Sequence, residues 1–234
     1  MPDPLFLSNR NWPRLSSSGT VQVWRASLDV SPEAVEHLRA LLTPEELERT
    51  SRYRFPIHRD RFIVGRGYAR RILGQYTNCP PDSVRFRFGA HGKPEVEGVS
   101  FNVAHADAHL LVAIGTAAVG IDIEARRTIA ELEGLVEQVF SESERDKWSR
   151  IPVAARPDFF LKLWTRKEAL LKGIGLGITQ HLKDVSVYFD EESIRPPAAL
   201  AEKSWAVRTF VEEEVIWSVA MPGLREITVL PLVD

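Results

Sequence analysis

The sequence predicts an α+β protein built as two similar halves, each a small antiparallel sheet packed on one long helix. Three observations carry that expectation: an internal echo between residues 28–49 and 121–147, one long helical pattern in each half, and period-two segments closing each half. The halves divide at 118/119, giving an N-terminal half of 1–118 and a C-terminal half of 119–234.

The echo begins with LDV at Leu28–Val30, a short helical stretch, and LLTPEELER from Leu41 to Arg49. Its counterpart is IDI at Ile121–Ile123, the helical IAELEGLVEQ, and VFSESERDK from Val139 to Lys147. Thr43 with Glu46 and Ser141 with Glu144 are S/T-x-x-E capping boxes, each expected to start a helix. The long helices follow as DRFIVGRGYARRILGQY and PDFFLKLWTRKEALLKG. Phe62, Ile63, Ile72 and Leu73 in one, and Phe160, Leu163, Leu170 and Leu171 in the other, recur at helical spacing. Both patterns end at glycine, Gly74 and Gly173. VSFNV, HLLVAIG and AVGIDIE then close the first half, and DVSVYF, SWAVRTFV and VIWSVAM the second, as strands.

Composition excludes several functions. Thirty basic against thirty-two acidic residues give a formal charge of −2, which argues against a nucleic-acid binder. The 44% apolar content supports an ordinary core. Cys79 has no internal disulfide partner, and no Cys/His cluster has zinc spacing. The start lacks the pattern of a signal peptide. The apolar stretch from Leu110 to Ile121 contains two glycines and is too short to span a bilayer. The expectation is a chain of the cytoplasm with no membrane partner.

Asp122 and Glu124 flank Ile123 on a strand and so point the same way. Alone, the pair reads as a solvated strand end neutralised by Arg126 and Arg127, or as two hard oxygen ligands for Mg²⁺ beside substrate phosphates. Trp164, Glu168 and Lys172 form one stripe at i, i+4 and i+8. An exposed Glu–Lys pair would add only about 0.2–0.5 kcal/mol to the helix. Trp164 prefers burial, which places the stripe at the core border and offers a third carboxylate and a phosphate-binding lysine.

VGIDIE followed by LWTRKEALLKGIGLGI resembles the Sfp-type 4′-phosphopantetheinyl transferases, whose pattern is a (V/I)G(V/I)D-x-E strand and a W-x-x-KE-x-x-x-K helix with a glycine-rich turn. Here the second element stands as Trp164, Lys167, Glu168, Lys172, Gly173, Gly175 and Gly177. The resemblance extends upstream through GKP at Gly92–Pro94, FNVAH at Phe101–His105 and the helix at Arg61–Gly65, covering Arg49 to Ile178. It implies a pseudo-dimer with one active site at the junction. In the two aligned helices, Glu168 stands opposite Arg70, the asymmetry that a single site requires.

The implied reaction moves the phosphopantetheine arm of coenzyme A to a serine of an apo acyl, peptidyl or polyketide carrier protein, releasing 3′,5′-ADP. The resemblance assigns Asp122, Glu124 and Glu168 to Mg²⁺, and Lys172 to the departing phosphate. It assigns Arg61 and Lys93 to the 3′-phosphate of coenzyme A and His105 to phosphate contact; read without it, His105 is a structural histidine. Glu168 is the expected base. Glu144 matches a family position discussed for the same role and is equally the N3 member of its capping box. Ala104 and Ala106 stand where the family usually has serines, so two phosphate-directed hydroxyls are missing. Arg66, Arg70 and Arg71 share the first helix with Arg61 and favour an acidic carrier, with Arg71 read as solvated. The segment Arg126–Phe140 would contact the carrier through Leu135 and Val139. The two-half architecture implies a monomer. Two alternatives stay open: a non-catalytic binder of coenzyme A or carrier, suggested by the lost serines, and a Mg²⁺-dependent phosphohydrolase.

Overall fold

The computed structural model describes residues 13–15, 17–89, 91–176, 182–187, 193–194, 196 and 203–232. The first half contains β1 (Thr20–Ser27), α1 (Pro32–Arg39), α2 (Pro44–Thr50), α3 (Pro56–Thr77), the short pair β2 (Arg87–Phe88) and β3 (Pro94–Glu95), then β4 (Ser100–Ala106) and β5 (His109–Gly115). The second contains β6 (Gly120–Ala125), α4 (Leu132–Val139), α5 (Glu142–Trp148), α6 (Arg156–Ile174), β7 (Ser193–Ile194), β8 (Trp205–Val211) and β9 (Val215–Met221), before β10 (Glu226–Pro231). Among the described residues no helix is long and apolar enough to cross a membrane.

Local chemistry explains the helix starts. Ser31 accepts from the Ala34 N–H and Pro32 fills the first turn of α1, where a missing N–H costs nothing. Both capping boxes form, Thr43 with Glu46 on α2 and Ser141 with Glu144 on α5. The helix ends differ from expectation by a residue or more. α3 runs on to Thr77 and stops at Asn78 in the left-handed region, and α6 stops at Gly175 with φ of 90°. Gly74 and Gly173 are glycine for close packing instead: a Cβ on Gly173 would enter the ring of Trp205, and one on Gly74 would press on the Cys79 carbonyl.

Among the described residues two four-stranded sheets result, ordered β10-β1-β5-β4 and β6-β9-β8-β7. AVGIDIE therefore does not close the first sheet: β6 pairs antiparallel with β9, placing Asp122 opposite Ser218 and Glu124 opposite Ile216. Alternation marks a strand but not its neighbour. Gly120 helps fix the outcome, because only a residue without Cβ lets β6 lie against the Ala169 carbonyl of α6. Of DVSVYF, residues 184–187 are not strand, while Tyr188 and Phe189 lie outside the described residues, as does Gly177. β10 follows the 118/119 division yet pairs parallel with β1, Val23 beside Val229.

Among the described residues three apolar clusters form the core. One packs α3 on the first sheet through Ile63, Tyr68, Ile72 and Val112. A second packs α6 on the other sheet through Phe160, Leu170, Trp205 and Ile216. The third lies between the sheets, with Val21, Val23 and Leu111 from one meeting Ile121, Ile123, Trp217 and Val219 from the other. The Asn102 side-chain oxygen accepts from the Ile121 N–H across this seam at 2.9 Å. The seam sets β6 and its carboxylates at the junction of the halves.

Candidate active site

The β6–α6 packing brings Asp122 and Glu168 together, both almost wholly buried. Burial first, and the Asp122 and Glu124 charges in part, push Glu168 up to about 7. Asp122 is raised to about 6, mainly by burial, against the opposing pull of Lys172. Glu124 is also raised, by burial first, and its Oε1 accepts from the Trp164 indole N–H at 3.0 Å. Lys172 Nζ donates to Asp122 Oδ1 at 2.5 Å. The stripe read on α6 thus divides its work: Trp164 orients one strand carboxylate, Lys172 pairs with the other, and Glu168 stands beside them.

Two oxygens in this cluster, Asp122 Oδ2 and Glu168 Oε1, are buried with no hydrogen-bond partner among the described residues. Leaving such a group unsatisfied costs about 1–3 kcal/mol. Among the described residues no three acidic, histidine or cysteine side chains converge on one ion-sized point. The donor set nevertheless fits a hard divalent cation: carboxylate oxygens only, two of them unpartnered among the described residues, with proton affinities raised first by burial.

Beside the cluster opens a cavity of 580 Å³ lined by Arg49, Tyr53, Arg61, Phe62, Arg66, Phe86, Phe101, His105 and Asp107. Arg61 reaches it while paired with Asp29 through two bonds of 2.7 and 2.9 Å. Desolvation, then the charges of Lys172 and Arg61, hold the His105 imidazole below its ordinary range. His105 therefore links the cationic cavity to the acid cluster. Asp107, in the β4–β5 turn with φ of 48°, acts electrostatically on both Arg61 and Glu124.

Several expected placements change. Lys93 does not line this cavity; its ammonium donates to the carbonyls of Lys172, Gly173 and Val119 at 2.6, 3.4 and 3.3 Å. Glu144 is fully buried and its oxygens take the Ser141 N–H, the Val187 N–H and Lys167 Nζ at 2.8, 2.8 and 2.6 Å. These contacts are what the capping role requires, and they hold the carboxylate in the interior. Arg70 and Arg71 are buried, so they form no solvated basic face. Val139 is buried and its carbonyl accepts from Lys167, which removes it as an apolar docking contact; Leu135 is partly buried against the core.

The halves do repeat, one residue off the expected alignment. Arg70 pairs with Glu46 at 2.8 Å and donates to the Pro81 and Val84 carbonyls at 3.0 and 3.1 Å. Lys167 pairs with Glu144 and donates to the Val139, Leu182 and Val185 carbonyls. Each is a long-helix cation holding a capping-box glutamate and nearby carbonyls. Arg70 thus corresponds to Lys167, and Glu168 to Arg71. Sequence reasoning missed Arg49 and Asp107 at the cavity and Asp29 as the partner of Arg61; Arg49 and Arg61 stand on different helices, so no local spacing joins them.

Fold and site together define a two-half α+β protein with a carboxylate cluster beside a cationic, aromatic-lined cavity. The family model described as the 4′-phosphopantetheinyl transferase superfamily matches residues 118–220. The 4′-phosphopantetheinyl transferase HetI of Nostoc sp. is 32% identical over 214 residues, 88% of this chain and 89% of the relative. The 4′-phosphopantetheinyl transferase Sfp of Bacillus subtilis is 25% identical over 166 residues, 70% of this chain and 73% of Sfp. The mouse L-aminoadipate-semialdehyde dehydrogenase-phosphopantetheinyl transferase is 26% identical over 210 residues, 80% of this chain and 65% of that protein. The chain belongs to the 4′-phosphopantetheinyl transferase superfamily, a family of transferases.

Proposed function

We propose that this protein transfers the 4′-phosphopantetheine arm of coenzyme A to a serine of an apo acyl, peptidyl or polyketide carrier protein, releasing 3′,5′-ADP. The observation that carries the reading is the pair of buried oxygens on Asp122 and Glu168, without a hydrogen-bond partner among the described residues and set beside a cavity rich in arginine. Asp122, Glu124 and Glu168 are the residues that would hold Mg²⁺. Bound there, the ion withdraws charge from the pyrophosphate of the donor.

The chain's own residues supply the rest. Arg61 and His105 bind nucleotide phosphate in the cavity, with Arg61 exchanging Asp29 for it. The serine Oγ forms a bond to the β-phosphorus as the bond from that phosphorus to the bridging oxygen breaks. The serine proton passes to Glu168, the carboxylate that the long helix of the second half sets beside the strand pair. Lys172 turns its ammonium to the oxygen that departs with 3′,5′-ADP. Chemistry of this kind depends on positioning and charge neutralisation. The single cysteine of the sequence, Cys79, suits the reducing cytoplasm, and the two-half architecture suits a monomer.

Incubation with coenzyme A, Mg²⁺ and an apo carrier, read by intact mass, tests the reading. The expected result is one phosphopantetheine per carrier, abolished by EDTA. Coenzyme A hydrolysis without carrier modification would replace it with a phosphohydrolase, and binding without reaction would make the chain a non-catalytic homologue.

A further inference from the structure

Lys93 lies at the end of the β2–β3 hairpin, in the GKP stretch, where Gly92 turns the chain with φ of 75°. The hairpin fixes its backbone, since the Lys93 carbonyl accepts from the Gly89 N–H at 3.0 Å. From there the side chain leaves the first half. Its ammonium donates to the Lys172 and Gly173 carbonyls at the C-terminus of α6, at 2.6 and 3.4 Å. It also donates to the Val119 carbonyl, immediately before β6, at 3.3 Å. A lysine ammonium has three N–H donors, and three carbonyls receive them. A cation is also the favoured partner for the last carbonyls of a helix.

These acceptors bear directly on the site. The shortest bond goes to the backbone of Lys172, whose own ammonium holds Asp122. Val119 precedes the strand carrying Asp122 and Glu124, and α6 carries Glu168. Pro94, the next residue on the hairpin, lines the 580 Å³ cavity.

We infer that Lys93 is a positioning residue, a clasp that ties the cavity wall of the first half to the carboxylate-bearing strand and helix of the second. It acts on turnover, not on affinity for the nucleotide. The inference rests on the reading of the chain as a coenzyme A-dependent transferase.

The test compares the parent with Lys93→Met, which keeps the apolar stem and removes the charge, and Lys93→Arg, which keeps the charge. Transfer kinetics are measured with coenzyme A and with 3′-dephospho-coenzyme A. Misplacing the reacting groups by a fraction of an ångström is expected to cost Lys93→Met about tenfold or more in kcat. Its KM for coenzyme A and its preference over the dephospho donor should stay within about twofold of the parent. Lys93→Arg should recover most of the lost kcat. A raised KM with a collapsed preference would make Lys93 a phosphate ligand and overturn the clasp, and so would an unchanged kcat. Amide hydrogen exchange provides a second readout that does not need turnover. Peptides covering residues 169–176 should exchange faster in Lys93→Met, and unchanged exchange there would also overturn it. If the parent itself transfers nothing while exchange responds as expected, the proposed reaction fails and the clasp stands.

Discussion

Glu144 and Lys167 meet in the interior, both fully buried and 2.6 Å apart. Breaking such a pair by removing one partner costs about 3–5 kcal/mol, because the other charge stays behind unpaired. Lys167→Met should therefore lower stability by about that much, measured by denaturant unfolding. Glu144→Gln keeps an N3 acceptor for the capping box and leaves Lys167 its three carbonyls, so a smaller loss of Tm is expected, with kcat largely kept. A dead enzyme with the parent's Tm would restore Glu144 as the base. Glu168 answers to a different balance. Its proton affinity rises from the ordinary 4.5 to about 7, so between those values the folded state holds more protons than the unfolded. Stability of the metal-free protein thus falls as pH rises through that window. The penalty is complete above it, on the order of 3 kcal/mol at about 1.4 kcal/mol per unit. In EDTA, the parent should melt higher at pH 5 than at pH 8, and Glu168→Gln should shrink the difference. Mg²⁺ with coenzyme A should raise the parent's Tm at pH 8, because ligands that bind only the folded state stabilise it. The variant should show little of that gain. A parent indifferent to both pH and the ligand pair would reduce the cluster to a strand end.

At the scale of elements, the site depends on how closely β6 approaches α6. A Cβ on Gly120 would overlap the Ala169 carbonyl oxygen and crowd Gly173, all backbone that no side-chain rotation can relieve. Gly120→Ala should therefore cost about 1–3 kcal/mol of overpacking. It should also separate Asp122 from Glu168, with transfer activity falling far more than folded fraction. Near-parent activity in a stable Gly120→Ala protein would mean that the crossing does not set the site. This element also shows what a chain reveals before it folds. The two capping boxes and the same-side geometry of Asp122 and Glu124 follow from spacings of three and two residues, and both are legible. That Gly120 and Gly173 serve packing is not legible, because the atoms they avoid come from another element. The partners that Lys93 and Glu144 take are not legible for the same reason: the end of α6 and Val187 are distant along the chain.

At the scale of the molecule, the two halves share contacts beyond the chain that joins them. Arg25 on β1 pairs with Glu212 of the β8–β9 turn at 2.5 Å, and the third apolar cluster draws on both sheets. The chain's last strand completes the first sheet, with Thr20–Arg25 of β1 alongside Glu226–Pro231 of β10. No local pattern announces that pairing, since β1 and β10 come from opposite ends of the sequence and join in parallel. Its consequence is cooperative unfolding. Trp24 is buried in the first cluster and Trp217 in the third, so fluorescence of variants retaining one or the other should report a single coincident transition in denaturant. Ending the chain at Arg225 removes β10, bares the N–H and C=O groups along one edge of β1, and uncovers apolar surface that Ile227 and Leu230 otherwise shield. An unpaired edge of this kind invites intermolecular pairing. The shortened protein should melt lower at both tryptophan probes together and aggregate on heating. A loss confined to the Trp24 probe would show that the first half can melt alone, and the clasp and ion pairs across the seam would then be too weak to couple the nucleotide cavity to the carboxylates.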